Sequence, residues 1–563
     1  MAKSMAYNQA AGLGGMLKSG HQMFSGLDEA VVRNIEAAQK IAEIVKTSMG
    51  PNGMKKLIVN HMDKVIVTSD AATLLKEMEI QHPAAKMLEL AAEQQTAEFG
   101  DGSNFVVSFA GELLKLATDL LRMGLHTSEI VEGYRRAYEH CKEVMPSLKV
   151  ETVTDVRDEA ALVRVLRPVI MTKQQGFEEL LAPLVARACL TVMPPAPAAP
   201  KLNVDHVRIA KLRGGATSAS ACLRGMVVLR DSENAVKRVA DAKVTVFGCG
   251  LEASATEAKG TVLIKTAEEL LNYNKGEERA MEDAIRAIAE SGCRMVAVGG
   301  SVSEMALHFL TKYEVMCVKV PSKWELRRLC AAVNATALVR VGAATPDEMG
   351  HCDLVEVREV AGRKILVLEQ TAAGDTRLAT VVLRAATDSV INDLARAVDD
   401  AVNAVKTLCR DGALVAGGGA FEAELAKSVA ELGERTAGLD QYAVRKFAEA
   451  LAVVPRTLAE TTGMPGTETM ARLTAAHARG EAGAGVDIDD SDVADMPSKG
   501  VVDLYACKES AIRLAVDAAV TVLRVDQVRR NTCCIIMMIF ALFLHLIILA
   551  ASDQIEMGGS SSG

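Results

Sequence analysis

Aromatic residues are scarce: Phe, Trp and Tyr make up 3 % of the 563 residues, with a single tryptophan. The interior must therefore be filled mostly by Ala, Val and Leu, which suits closely packed helices of high propensity. A basic excess is also missing. The formal net charge is −9, so composition gives no support for a large nucleic-acid surface. The 12 cysteines form no CxxC pair and no Cys/His group at zinc spacing, and only Cys533 and Cys534 are adjacent. They are expected to be reduced, mostly buried small hydrophobes of a cytoplasmic chain. Residues 1–16 hold no apolar run of the signal-peptide kind,. Neither GxxxxGK[ST] nor GxGxxG is present, so the common nucleotide-binding folds are not supported,.

Length and pattern say more. A chain of this size is too long for one core, and two to four domains are expected,. Val31, Ile35, Ala38, Ile41 and Val45 recur at spacings of three and four, which predicts a helix over 28–46 with Asp28 as N-cap,. Gly50-Pro51-Asn52-Gly53 stops it,. Short β-rich runs follow at 57–59 and 65–68, then helices over 84–98 and 105–123. The proline-rich stretch 193–200 can be neither helix nor central strand and marks a connection,. Beyond it, β-runs at 227–229, 244–247, 295–298, 315–320 and 365–368 alternate with helical stretches at 280–289 and 303–311, the pattern of an α/β layer,. The charged segment 252–274 reads as a helical excursion on the surface. From 388 onward the chain is helical again, interrupted at Gly417, Gly418 and Gly419 and ending in a helix over 504–527. One domain made from both helical ends, with the middle inserted, is the economical arrangement.

Four loops combine glycine with an acid or a hydroxyl: 48–53, 68–73, 100–105 and 417–419. Glycine lets backbone N–H groups approach a phosphate, a helix N-terminus attracts anions, and an Asp there can hold Mg²⁺. Each loop alone is more often a plain turn. Asp70 also fits a helix N-cap, Asp399 and Asp400 a solvated acidic pair, and Asp503 a simple cap.

Together the loops resemble the group II chaperonins in order and spacing. The resemblance rests on GPNGMKK at 50–56, TSDAATLL at 68–75, GDGSNF at 100–105, VDDAV at 398–402, GGGAFEAEL at 417–425, VVPRTLAET at 453–461 and VLRVDQV at 522–528. QHPAAKM at 81–87, KGTVLIKTAEELLNY at 259–273 and SKWELRRLC at 322–330 point to one subunit type of the eukaryotic cytosolic chaperonin. The likeness spans about residues 20 to 528.

The resemblance implies an α+β multidomain chaperonin fold. A helical equatorial domain would come from both chain ends (1–148 and 404–530) and a small intermediate domain from 149–216 and 370–403. An α/β apical domain (217–369) would bind clients and carry a lid protrusion near 252–282. It implies ATP and Mg²⁺ as cofactors, paralogous subunits of a double ring and non-native client proteins as partners, and a cytoplasmic location. Asp101 would hold the metal. Met49, Gly50, Pro51, Gly102, Ser103, Asn104 and Phe105 would surround the nucleotide, with Gly417, Gly418, Asp503 and Lys508 reaching it from the other chain end. Asp400 would orient the attacking water, and Asp70 would be a second carboxylate near the γ-phosphate. A structural ring subunit with little or no turnover is the alternative. The chain departs from the family at Lys55, where Asp or Asn is usual, at Ala71, where glycine is common, and at Ser103, where Thr is usual in this subunit type.

One run does not fit. Residues 533–551 are apolar except His545, long enough to span a bilayer as a helix. Val525-Asp526-Gln527 is echoed by Ser552-Asp553-Gln554, and removing 528–554 would join RVDQ to IEMGG, close to the family's usual ending. The expectation is a retained intron or gene-model error rather than a membrane anchor.

Overall fold

The helices of the two chain ends pack closely because small residues meet where they cross. A Cβ on Gly111 would lie 2.1 Å from that of Ala42, so the helices Leu27–Lys46 and Ser103–Arg122 touch nearly backbone to backbone. The computed structural model describes residues 22–23, 27–60, 62–252, 266–370, 378–525 and 529–530. The first core draws on both ends of the chain: Val31 and Ile35, Phe109 and Leu113, then Phe447, Ile512 and Ala519 are all buried together. Several of the few aromatics gather here. Phe109 stands edge-on to Phe447 at 5.6 Å, and Tyr134 lies 5.9 Å from Phe447, which adds directional packing to a largely aliphatic interior.

A second core joins three helices, Glu159–Lys173, Glu178–Val192 and Asp388–Leu408. The first two each carry an internal proline, Pro168 and Pro183. Tertiary burial of Leu166, Ile170, Leu181 and Val185 overrides the local penalty,. The parallel strands Val207–Arg213 and Ala379–Ala385 lie against this core and open a nine-stranded sheet.

That sheet is mixed. Arg238–Phe247, Met295–Val298 and Met316–Lys319 run parallel, with the helices Ala267–Glu290 and Glu304–Lys312 as crossovers. Period-two alternation sends Met295 and Ala297 into one core and Val296 and Val298 into the other,. The alternating α/β reading of 217–369 holds only for this part. The rest is antiparallel, including the hairpin Gly350–Val360 with Arg363–Glu369, which turns at Ala361 and Gly362, both at positive φ, as a two-residue hairpin loop requires. The strands Val207–Arg213, Gly350–Val360 and Ala379–Ala385 were not among the expected runs. The first helix begins at Leu27, which puts Asp28 inside the first turn rather than at the cap.

The result is an α+β protein of helices and a mixed sheet. Part of the expected protrusion (253–265) and the apolar run 533–551 lie outside the described residues. Among the described residues no helix is long and apolar enough to cross a membrane.

Candidate nucleotide site

A cavity of about 640 Å³ opens where loops from both chain ends meet the second group of helices. Two helices begin on it, Ser103–Arg122 and Ala420–Arg435. Each is capped by a left-handed glycine, Gly102 (φ 87°) and Gly419 (φ 80°), with no side-chain cap. Their first-turn N–H groups and the positive dipole end favour an anion in the cavity.

On one side an ammonium sits among three carboxylates. Lys173 Nζ lies 2.9 Å from Asp70 Oδ1, 3.4 Å from Asp400 Oδ2 and 3.9 Å from Asp101 Oδ1. Its side chain is 9 % exposed. Burial works against the charge on Lys173, but Asp70, Asp400 and Asp101 outweigh it and hold its pKa above the ordinary lysine value. Burial would likewise raise Asp70. The charge and hydrogen bond of Lys173, with bonds from Thr73, prevail and hold Asp70 well below the usual carboxylate range. Asp400 goes the other way: burial pushes it well up, Lys173 only partly offsets this, and Asp70 and Asp101 push it further. Neighbouring carboxyls with opposite shifts are the arrangement expected of groups with different roles. Three carboxylates against one ammonium (−3 + 1) leave −2 when all are ionised, but among the described residues no group of three or more Asp, Glu, His or Cys side chains is arranged to hold a metal ion. A single carboxylate such as Asp101 could still share Mg²⁺ with phosphate oxygens.

The opposite side carries a second buried pair. Lys508 Nζ lies 2.6 Å from Glu422 Oε1 and 3.1 Å from Asp503 Oδ2, and 5.4 Å from the centre of the Phe105 ring. Glu422 is fully buried, and its other oxygen has no hydrogen-bond partner.

Of the residues singled out in the sequence, Met49, Gly50, Pro51, Asp101, Gly102, Asn104, Phe105, Gly418, Asp503 and Lys508 line the cavity. Asp70, Ser103, Asp400 and Gly417 do not line it. Asp70 and Asp400 meet it through Lys173, and Ser103 Oγ donates to Asp70 Oδ1 at 3.0 Å. Gly417 is tied by its N–H to the carbonyl of Val501. The Asn104 amide donates to the carbonyls of Ser48 and Ser69 and accepts from the N–H of Ala71, so it joins three loops. Asp70 does cap its helix, accepting from Thr73 N, and it pairs with Lys173 as well. Asp503 is not a cap: Leu504 holds that position before Tyr505–Leu523.

Sequence reasoning missed Lys173, Gln95 and Glu422. Lys173 ends a proline-containing helix with Gly176 three residues on; a basic last turn followed by glycine was the available signal. Gln95 Nε2 donates to the carbonyls of Asp101 and Cys507 from near the C-terminal end of the helix Pro83–Phe99, a contact that no local pattern announces.

Residues 41–532 match the TCP-1/cpn60 chaperonin family. The chain belongs to that family. It is 48 % identical over 522 residues to T-complex protein 1 subunit theta of Homo sapiens, covering 92 % of this chain and 94 % of the relative. The theta subunit of Arabidopsis thaliana is 46 % identical with the same coverage, and that of Dictyostelium discoideum is 42 % identical over 92 % and 96 % of the two chains. Theta is thus the subunit type to which the central motifs of this chaperonin chain pointed.

Proposed function

We propose that this chain is one subunit of a hetero-oligomeric double-ring chaperonin that encloses non-native proteins and hydrolyses ATP in the cavity described above. The observation that carries the reading is the convergence of Asp70, Asp101 and Asp400 on Lys173 beside a cavity onto which two glycine-capped helices open. Phosphoryl transfer needs positioning and charge neutralisation more than covalent help, and these groups can supply both.

In this reading the phosphates lie against the N-termini at Gly102 and Gly419, and the nucleotide is flanked by Met49, Gly50, Pro51, Asn104, Phe105, Gly418 and Asp503. Asp101 would hold Mg²⁺, which supplies charge neutralisation at the phosphate oxygens. Asp400, whose carboxyl pKa burial raises and which meets the cavity through Lys173, would orient the attacking water and take up its proton once the site closes on the nucleotide. Asp70 stays ionised and holds Lys173 towards the terminal phosphate. Lys508, anchored by Glu422, stands beside Phe105. The core shared by the two chain ends corresponds to the equatorial domain, the three-helix core to the intermediate domain, and the sheet between 217 and 369 to the apical domain. Trp324, Leu229 and Val339 are exposed on that last part, the part that would meet non-native clients. Its partners are paralogous subunits, and its place is the cytoplasm.

The test is the native mass and subunit content of the species this chain joins in soluble lysate, with Mg·ATP turnover measured on it. A large particle with related, non-identical subunits and ATPase activity is expected. A small or membrane-bound species would refute the reading.

A further inference from the structure

The ammonium of Lys55 joins three segments far apart in the chain. Its Nζ donates to Asp393 Oδ2 at 2.7 Å and to Gln174 Oε1 at 2.9 Å. Lys55 follows the 50–53 turn and does not itself line the cavity. Gln174 caps the helix Glu159–Lys173 and is the neighbour of Lys173. Asp393 lies on the helix Asp388–Leu408, seven residues before Asp400, so about two turns, or roughly 10 Å, separate the two along the axis.

Asp393 is not a solvated surface acid; it is 7 % exposed. A buried carboxylate needs a cation beside it. Arg396, one turn on, supplies one from the same helix, and its Nη2 also reaches the carbonyl of Val67 at 3.5 Å. Lys55 supplies the other from a different element. The pair therefore fixes where the helix sits, which an intrahelical pair does not do.

We propose that Lys55 is a positioning residue for ATP hydrolysis. Through Asp393 and Gln174 it keeps the helix bearing Asp400 and the segment bearing Lys173 in register with the 50–53 turn, without touching the nucleotide. The inference rests on reading the cavity as an ATP site. Its signature is a loss in kcat at unchanged nucleotide affinity, because only the alignment of Asp400 and Lys173 depends on the pair.

The experiment uses the full-length chain in the assembly it forms, with Lys55→Gln, Asp393→Asn, the double variant and Lys55→Arg. Mg·ATP affinity, kcat and amide hydrogen exchange over 388–408 are measured on each. Either single change should lower kcat about tenfold, as expected for coupled residues in contact. Affinity should stay within about twofold, since neither group lines the cavity. The double variant should be no worse than the worse single one, Lys55→Arg should recover most of the rate, and exchange over 388–408 should quicken in the Gln and Asn variants. Unchanged kcat and exchange, additive losses, or a parallel loss of affinity would each overturn the proposal. If the wild-type assembly turns over no ATP, the functional reading fails, while the exchange data still score the Lys55 contact by themselves.

Discussion

The cavity region and the central sheet put their charges in opposite places. Among the described residues, the buried carboxylates Asp70, Asp393, Asp400, Glu422 and Asp487 all lie outside 217–369. Inside that range the buried polar side chains are neutral: Ser220, Ser232, Asn234 and Thr245. Its ion pairs, such as Arg358 with Glu356 and Glu369, sit at the surface with Arg358 40 % exposed. Burying a charge is expensive unless it is paired. The sheet avoids that cost and is held by apolar packing on both faces. The cavity accepts it, and the strained electrostatics that result are the usual mark of a working site.

The comparison breaks most visibly at Lys173. Lys173→Met leaves Asp70, Asp101 and Asp400 without their shared cation and should cost about 3–5 kcal/mol in denaturant unfolding of the cavity region. It should also weaken Mg·ATP binding in titration calorimetry. Phe247→Ala, in the fully buried sheet core, should cost about 3 kcal/mol by cavity creation yet leave nucleotide affinity unchanged. Arg358→Ala should cost less than about 1 kcal/mol, since an exposed pair is screened. A pH profile sharpens the same contrast. In the role proposed for it, Asp400 must be ionised to take up a proton, and burial raises its pKa above the ordinary 3.8. The acid limb of kcat/KM should therefore lie above the usual carboxylate range. Lys173→Gln should move it higher still, because Lys173 is what lowers Asp400.

Much of the cavity was legible because its loops are local: a glycine turn and an acid adjacent in sequence stay adjacent in space, as at Gly100 to Phe105. Helix faces set by Val31, Ile35 and Ala38 were legible for the same reason. The helices carrying Lys173 and Val185 were not, because Pro168 and Pro183 argue against helix until tertiary burial is counted. Long-range pairing hid the strands Val207–Arg213 and Ala379–Ala385, partners separated by more than 160 residues. Lys55 stood out in the sequence as a departure from its family, but its partners Gln174 and Asp393 lie 119 and 338 residues away. No pattern within residues 50–56 could have named them.

The most direct test is single-turnover hydrolysis of Mg·ATP by the assembled wild-type chain and by Asp400→Ala, with nucleotide binding measured on both. Near-equal binding is expected, with a rate at least about 100-fold lower in the variant, the loss that follows if Asp400 takes up the proton as proposed. Equal rates, or a wild-type chain that binds no ATP, would contradict it.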